Sequence, residues 1–349
     1  MNYLEWLDQC TSTTWWHDSG NPDEIALAIR RGAKGVTTNP VLTYRSLQSQ
    51  PDFWLPRVRT LRDDLDFEER AEALLELVAT YAAEQVYPVY KTTKGRNGYA
   101  LGQLNPARAG DAEGMLLQAR RVHSWGENIA VKLPATAAGL DVVEHLVEEG
   151  IPICATINVS VSQALAVADA YERGKKKAIA SGSAPPLCIV VQQVGRLDDY
   201  LRDVAMDMRL DIPESDLRMA GLAVAKRTYA RFTQRKTDCV IMPAGLRGEY
   251  HITGMAGGNL IYTINTRMQD MMLESDPEQR PGIGDPVDPK IIDSLMRIPE
   301  FVRAYEPDGM TPSEFISYGV TQKLLSQFYE TGWAPLETYL SSRVSTRWI

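Results

Sequence analysis

Short apolar runs alternate with helix-patterned segments about eight times from residue 13 onward, and this alternation constrains the chain more than any other feature. "TTWWHD" is followed by "SGNPDEIALAIRRG", where Asn21 and Pro22 open a helix and Gly32 closes it. "GVTTNP" precedes a long, largely helical segment running to "EQVYPVY". "GYALGQLNP", "DAEGMLLQARRVHSW", "IAVKLPA", "GLDVVEHLVEEG", "IPICATIN" and "VSQALAVADAYERGKKKAIA" then continue the strand and helix order. "LCIVVQQ", "DCVIMPAG" and, more weakly, "YHITGMAGGNL" complete the apolar runs. Repetition of this kind gives a parallel α/β fold, and closure into a (β/α)8 barrel is the expected architecture. A doubly wound open sheet would be favoured by a Gly-rich fingerprint after the first strand, and none is present.

The expected organisation is one barrel domain over 1–349, with a helical insertion at about 41–92 and a helical segment at about 286–349 that acts as a lid or packing element. No apolar run approaches the ~20 residues of a membrane span, and the acidic N-terminus does not read as a secretion leader. The four cysteines, Cys10, Cys154, Cys188 and Cys239, lack close pairing and read as free thiols in a reducing compartment. These features point to a cytoplasmic protein. A net charge of −8 argues against a nucleic-acid binder and requires any anionic ligand to be held by local cations. His17, His123, His145 and His251 lack metal-ligand spacing, and no Walker loop or CxxC occurs, so neither metal nor cofactor is expected.

Within "ENIAVKLPATAAG", Lys132 stands in a run that is otherwise apolar and ends at Pro134. Side chains alternate along a strand. Ile129, Val131 and Leu133 make a surface for outer helices, so Ala130 and Lys132 must point into the barrel. In "IPICATIN" the outward set Ile151, Ile153 and Ala155 leaves Cys154 and Thr156 inside, and Gln103 shares a face with Leu101. Most of these inward polar groups fall near strand C-termini, where barrel active sites form. On pattern alone an inward lysine is either an ion-pair member or a reacting amine. Cys154 reads as a small core residue.

Several segments together resemble one family. "GVTTNPVL" and "AVKLPATAAGL" are similar to the Thr-Thr-Asn-Pro signature and the Schiff-base lysine strand of transaldolases. "DSG" at Asp18 resembles their first-strand motif, "VGRLDD" their Arg-bearing segment after the sixth strand, and "AGLR" their seventh-strand Arg. The resemblance runs from about residue 13 to 259. It implies a metal-free, lysine-dependent aldol enzyme on a (β/α)8 barrel, acting on sugar phosphates, with a homodimer as the commoner arrangement. Transfer of a dihydroxyacetone unit is the first reading. A fructose-6-phosphate aldolase-like or specialised sugar enzyme is the alternative, and a non-catalytic sugar-phosphate-binding barrel a remote one.

By the same resemblance Lys132 forms the imine and Asp18 shuttles the C4 hydroxyl proton. Gln103 and Thr156 hold a relay water, Thr38 and Asn39 contact the dihydroxyacetone unit, and Arg196 and Arg247 take the phosphate. The chain also departs from the family pattern. Gln103 replaces the usual Glu, Cys154 an Asn, and Gly245 a Ser. Gln193 stands where transaldolases have Phe and the aldolase relatives Tyr, and would promote release of dihydroxyacetone if its amide reached the relay water. These changes bear on substrate choice at the binding positions Cys154, Gln193 and Gly245.

Overall fold

Eight parallel strands form the centre of the computed structural model, which describes residues 1–340. They are β1 (Thr14–Asp18), β2 (Val36–Thr37), β3 (Ala100–Gln103), β4 (Ile129–Pro134), β5 (Ile153–Thr156), β6 (Cys188–Gln192), β7 (Val240–Pro243) and β8 (Ile261–Ile264). Their order is β7-β6-β5-β4-β3-β2-β1-β8. A parallel bridge between Ile241 and Leu260 brings β7 against the start of β8, so the sheet is a nearly closed (β/α)8 barrel.

Strand alternation divides the apolar residues into two cores. Ile129, Val131, Leu133, Ile153 and Ala155 face outward and pack under the helices. Trp16, Leu101, Ala130, Cys154, Ile189 and Met242 face the lumen and fill it from below. Trp16 fits because residue 35 is glycine: a Cβ there would stand 2.5 Å from the indole. Both faces of such a sheet are covered, which is why its strands read as nearly continuous apolar runs.

The last strand lies elsewhere than "YHITGMAGGNL" suggests. Glu249–Thr253 is a short helix, and β8 is the following "IYTI". Glycines 254, 257 and 258 break the apolar run, with Gly257 at φ +90°. Ile261, Tyr262 and Thr263 instead pair with Thr14, Trp15 and Trp16 of β1.

Between β2 and β3 stand helices Pro40–Ser49, Pro51–Val58 and Phe67–Thr93. The last begins with a reciprocal cap between Asp66 and Glu69. Leu47, Trp54, Leu74 and Val78 from these helices enclose Trp333 and Leu336 of the C-terminal segment in a second core. Gly332 permits the close approach, since a Cβ there would meet the Val41 backbone nitrogen at 2.6 Å. The tail therefore packs on the helix that leaves β2. Of the 286–349 segment, residues 341–349 lie outside the described residues. No helix among the described residues is long and apolar enough to cross a membrane.

Candidate active site

Lys132 occupies β4, every residue of which is buried. Strand register sets Gln103 on one side of it and Cys154 on the other. The lysine is 6% exposed, and its Nζ lies 3.3 Å from the Thr38 carbonyl. No carboxylate comes within 4 Å of it among the described residues. Burial pulls its pKa below the ordinary lysine value, while Cys154 and Asp18 pull weakly the other way. This environment favours the neutral amine, the nucleophilic form. Cys154 is fully enclosed and its thiol is pushed up to about 12, which removes it as a nucleophile at neutral pH.

Asp18 ends β1, where the Thr37 hydroxyl stands 2.7 Å from its Oδ1. Thr37 also meets Thr263 Oγ1 at 2.5 Å, so three neighbouring strands hold the carboxyl group in place. Thr38 turns its hydroxyl into the wall towards the Leu101 carbonyl and offers the lumen its own carbonyl. Asn39 caps helix Pro40–Ser49: its Oδ1 accepts from the Leu42 N–H at 2.9 Å. Its Nδ2 has no protein acceptor among the described residues and is free to donate to a ligand.

Two buried oxygens beside the lysine strand are unsatisfied. Among the described residues Gln103 Oε1 and Thr156 Oγ1 have no hydrogen-bond partner, although both side chains are almost fully enclosed. An unpartnered buried group costs about 1–3 kcal/mol, which a ligand or water at the site would relieve. Asn158 Nδ2 is a third orphan on the segment leaving β5. Between Thr156 and Asn158, Ile157 adopts φ +55°, a left-handed conformation that is costly for a β-branched residue. Gln163 holds this turn, donating to the Ala135 and Ile157 carbonyls at 3.1 Å and accepting from the Val159 N–H at 3.1 Å. Strain sustained in this way is characteristic of functional sites.

A cleft of about 490 Å3 is lined by Asp18, Asn39, Arg196, Arg247 and Phe328, the last from the C-terminal segment; Lys132, Gln103 and Thr156 do not line it. Arg196 and Arg247 flank Gly245, which has φ +66°. The Arg247 guanidinium is engaged by Asp199, with Nη2 2.5 Å and Nε 3.1 Å from Oδ2, and its Nη1 donates to the Gly245 carbonyl at 2.8 Å. Arg196 has no such partner. Burial and the like charge of Arg247 hold its pKa below the ordinary arginine value, a situation an anion would relieve. Helix Val194–Asp207 begins here without a side-chain cap, which adds the positive end of its dipole. Gly195 allows the two segments to meet, because a Cβ there would lie 2.1 Å from the Gly245 carbonyl oxygen. The Arg247 N–H donates to His251 Nδ1 at 3.1 Å, and His251 Nε2 stands 3.0 Å from Asp198 Oδ2. This buried pair fixes the loop after β7. Gln193 turns towards the same region: its Oε1 would lie 3.3 Å from a Cβ on Gly245.

Lys132, Gln103, Cys154 and Thr156 thus gather on adjacent strands, and Asp18, Asn39, Arg196, Gly245 and Arg247 share the cleft above. Sequence reasoning missed Asp199, Asn158, Thr263 and the pair Asp198 and His251. It also missed Arg45 and Arg267, which line the cleft from the helices after β2 and β8. Only Asp199 carried a local signal, as the residue three after Arg196 on a helix. Among the described residues no group of His, Cys, Asp and Glu side chains could hold a metal ion.

The family model described as transaldolase/fructose-6-phosphate aldolase matches residues 15–301. A transaldolase of Thiobacillus denitrificans is 36% identical over 154 residues, 44% of this chain and 43% of the relative. One from Neisseria gonorrhoeae is 29% identical over 215 residues, covering 60% of this chain and 59% of the relative. Transaldolase 2 of a Nostoc species is 24% identical over 241 residues, 63% of each chain. The matches therefore span less than two thirds of these relatives' length. The match from β1 into the C-terminal helices, on a barrel of this construction, makes the chain a member of the transaldolase/fructose-6-phosphate aldolase family.

Proposed function

We propose that this chain transfers a dihydroxyacetone unit between sugar phosphates through an imine on Lys132. The observation that carries the reading is a buried lysine with no carboxylate partner among the described residues, on the strand between those that carry two unsatisfied buried oxygens. The neutral Nζ attacks the ketose carbonyl, and loss of water gives an iminium ion. Asp18 takes the proton of the C4 hydroxyl as the C3–C4 bond breaks, and the electron pair moves into the nitrogen-bearing fragment as an enamine. The aldose phosphate leaves, a second aldehyde enters, and the steps reverse. Gln103 Oε1 and Thr156 Oγ1 suit a bound water that carries protons as the imine forms and hydrolyses. Arg196, Arg247 and the adjacent helix N-terminus suit the terminal phosphate.

Release of free dihydroxyacetone is the second reading, supported by the resemblance of Gln103 to the Gln that fructose-6-phosphate aldolases carry at this position, although the amide by itself would slow proton exchange with the water. A carboxylate there could exchange protons with the water, whereas an amide only orients it. Borohydride reduction with fructose 6-phosphate or sedoheptulose 7-phosphate should leave a three-carbon adduct on the peptide containing Lys132, read by mass. Lys132→Arg should abolish it, since a guanidinium stays protonated. An adduct on another lysine, or none with any ketose, would refute the imine.

A further inference from the structure

We propose that Arg45 and Arg267 form a second anion subsite at the cleft mouth, so that the preferred substrate carries two anionic groups at the end remote from Lys132. The inference rests on the reading of Arg196 and Arg247 as the first phosphate site and extends it outward. The four guanidiniums line one cleft. They arrive from the segments after β6, β7, β8 and β2, which follow one another around the barrel with only β1 interposed. Lys132 on β4 lies across the lumen from β8. Arg45 and Arg267 are exposed and stand on helices beyond the strand ends, whereas Arg196 is partly buried, so a ligand running from the lysine past Arg196 towards solvent would meet Arg45 and Arg267 at the mouth.

Charge makes this arrangement unusual. The chain is acidic overall, and many of its arginines are neutralised locally: Arg31 by Asp270, Arg108 by Glu68, Arg202 by Glu214 and Arg227 by Glu306. Among the described residues no carboxylate lies within 4 Å of Arg45, Arg196 or Arg267. None of the acids near the cleft lies within 4 Å of those three guanidiniums. Asp18 is bonded to Thr37, Glu24 stands 4.0 Å from His17 Nε2, and Asp199 is bonded to Arg247 and Arg202. Arg45 is close enough for its charge to press on Arg196. Arg247 has Asp199 as its counter-ion, but Arg45, Arg196 and Arg267 have no ion-pair partner among the described residues, and like charges gathered in one cleft favour a polyanion. Forked guanidinium contacts match phosphoryl and carboxylate oxygens equally well. The ligand class is accordingly a sugar ending in a diphosphoryl group, or in a phosphoryl group with a nearby carboxylate.

The test is calorimetric binding of inorganic phosphate, pyrophosphate and 2-phosphoglycolate to the full chain. Wild type is compared with Arg45→Ala/Arg267→Ala and with Arg59→Ala, an exposed arginine that does not line the cleft. In the double variant the preference for one doubly anionic probe over phosphate should fall by roughly tenfold or more. The Arg59→Ala protein should keep it. Loss with pyrophosphate alone identifies a diphosphoryl ligand, and loss with 2-phosphoglycolate alone identifies a phosphoryl-carboxylate one. If affinity for all three probes falls by one common factor, or for none, the arginines only raise the local potential or are idle, and the subsite is refuted. Binding does not require an imine, so failure of the Lys132 adduct would overturn the transfer reading and leave this result interpretable.

Discussion

The two halves of the candidate site hold their polar groups by opposite means. On the β3 to β5 side, Gln103, Lys132 and Thr156 project from strands into a dry wall, and their heteroatoms are left without partners or nearly so. On the β6 to β8 side, Arg196 and Arg247 sit on segments beyond the strands, and Arg247 is positioned by a carboxylate, a carbonyl and a buried histidine. The first arrangement perturbs a pKa by excluding water. The second supplies fixed charge to a ligand that arrives already ionised. Substitutions on the two sides should therefore fail differently.

Lys132→Met is the largest test of that difference. Turnover should fall by at least roughly 10⁴-fold, because no other group can form the imine. Stability should nevertheless rise by about 1–2 kcal/mol near neutral pH, since an ammonium no longer has to be buried or deprotonated on folding. The sign follows from the lowered pKa of the folded state. Between the folded and unfolded pKa values the unfolded chain binds more protons, so wild-type stability increases with pH. The advantage of Met is full below the folded pKa and fades as pH approaches the ordinary lysine value of ~10.4. Denaturant titrations at several pH values read it directly. A destabilised Met variant would show that Lys132 is a satisfied structural cation, and the contrast between the halves would fail.

Gly195→Ala tests the charged half through its backbone. The added methyl would stand 2.1 Å from the Gly245 carbonyl oxygen and 2.6 Å from Arg247 Cγ, so the two segments must part. A loss of about 1–3 kcal/mol in stability is expected. KM for phosphorylated ketoses should rise, while borohydride trapping of saturating dihydroxyacetone on Lys132 persists. Loss of trapping together with affinity would mean that the halves are mechanically one unit.

Arg196→Ala and Arg247→Ala divide that half further. Arg196 has no partner to lose, so its removal should cost phosphorylated substrates about 1.5–3 kcal/mol in kcat/KM. Arg247 must share its guanidinium with Asp199, and its removal should cost less, about 1 kcal/mol. Unphosphorylated dihydroxyacetone should be nearly indifferent to both. Equal losses on both kinds of substrate would assign the arginines to structural ion pairs.

The same division governs what could be read from the sequence. Parity along "IAVKLP" and "IPICATIN" places Ala130, Cys154, Lys132 and Thr156 inward because alternate residues of a strand share one face. Arg196 and Arg247 were reachable only through resemblance, since loop and helix-start positions obey no parity. Arg45 and Arg267 look like ordinary exposed helix charges until the barrel brings them together. The strained Ile157 and the orphaned Asn158 have no signature at all, because their conformation is imposed by Gln163 and the turn after β5. The eighth strand was misplaced because "IYTI" follows a glycine-rich stretch that blurs its boundary.

Gln193→Phe has the smallest expected effect and tests where the two halves meet. Its side chain follows β6 and lies against Gly245, on the arginine side, so its amide should touch the ligand near the phosphate. The apolar ring removes that contact at an exposed-ligand position, and KM for phosphorylated ketoses should rise about threefold, close to 0.7 kcal/mol. The ratio of released dihydroxyacetone to transferred product should stay constant, because the relay oxygens on Gln103 and Thr156 belong to β3 and β5. Both products can be measured side by side in wild type and variant. A ratio that falls by up to roughly tenfold at unchanged KM would place the amide at the relay water instead. Gln193 would then belong to the dry half, and the boundary between the halves would lie between Gln193 and Arg196.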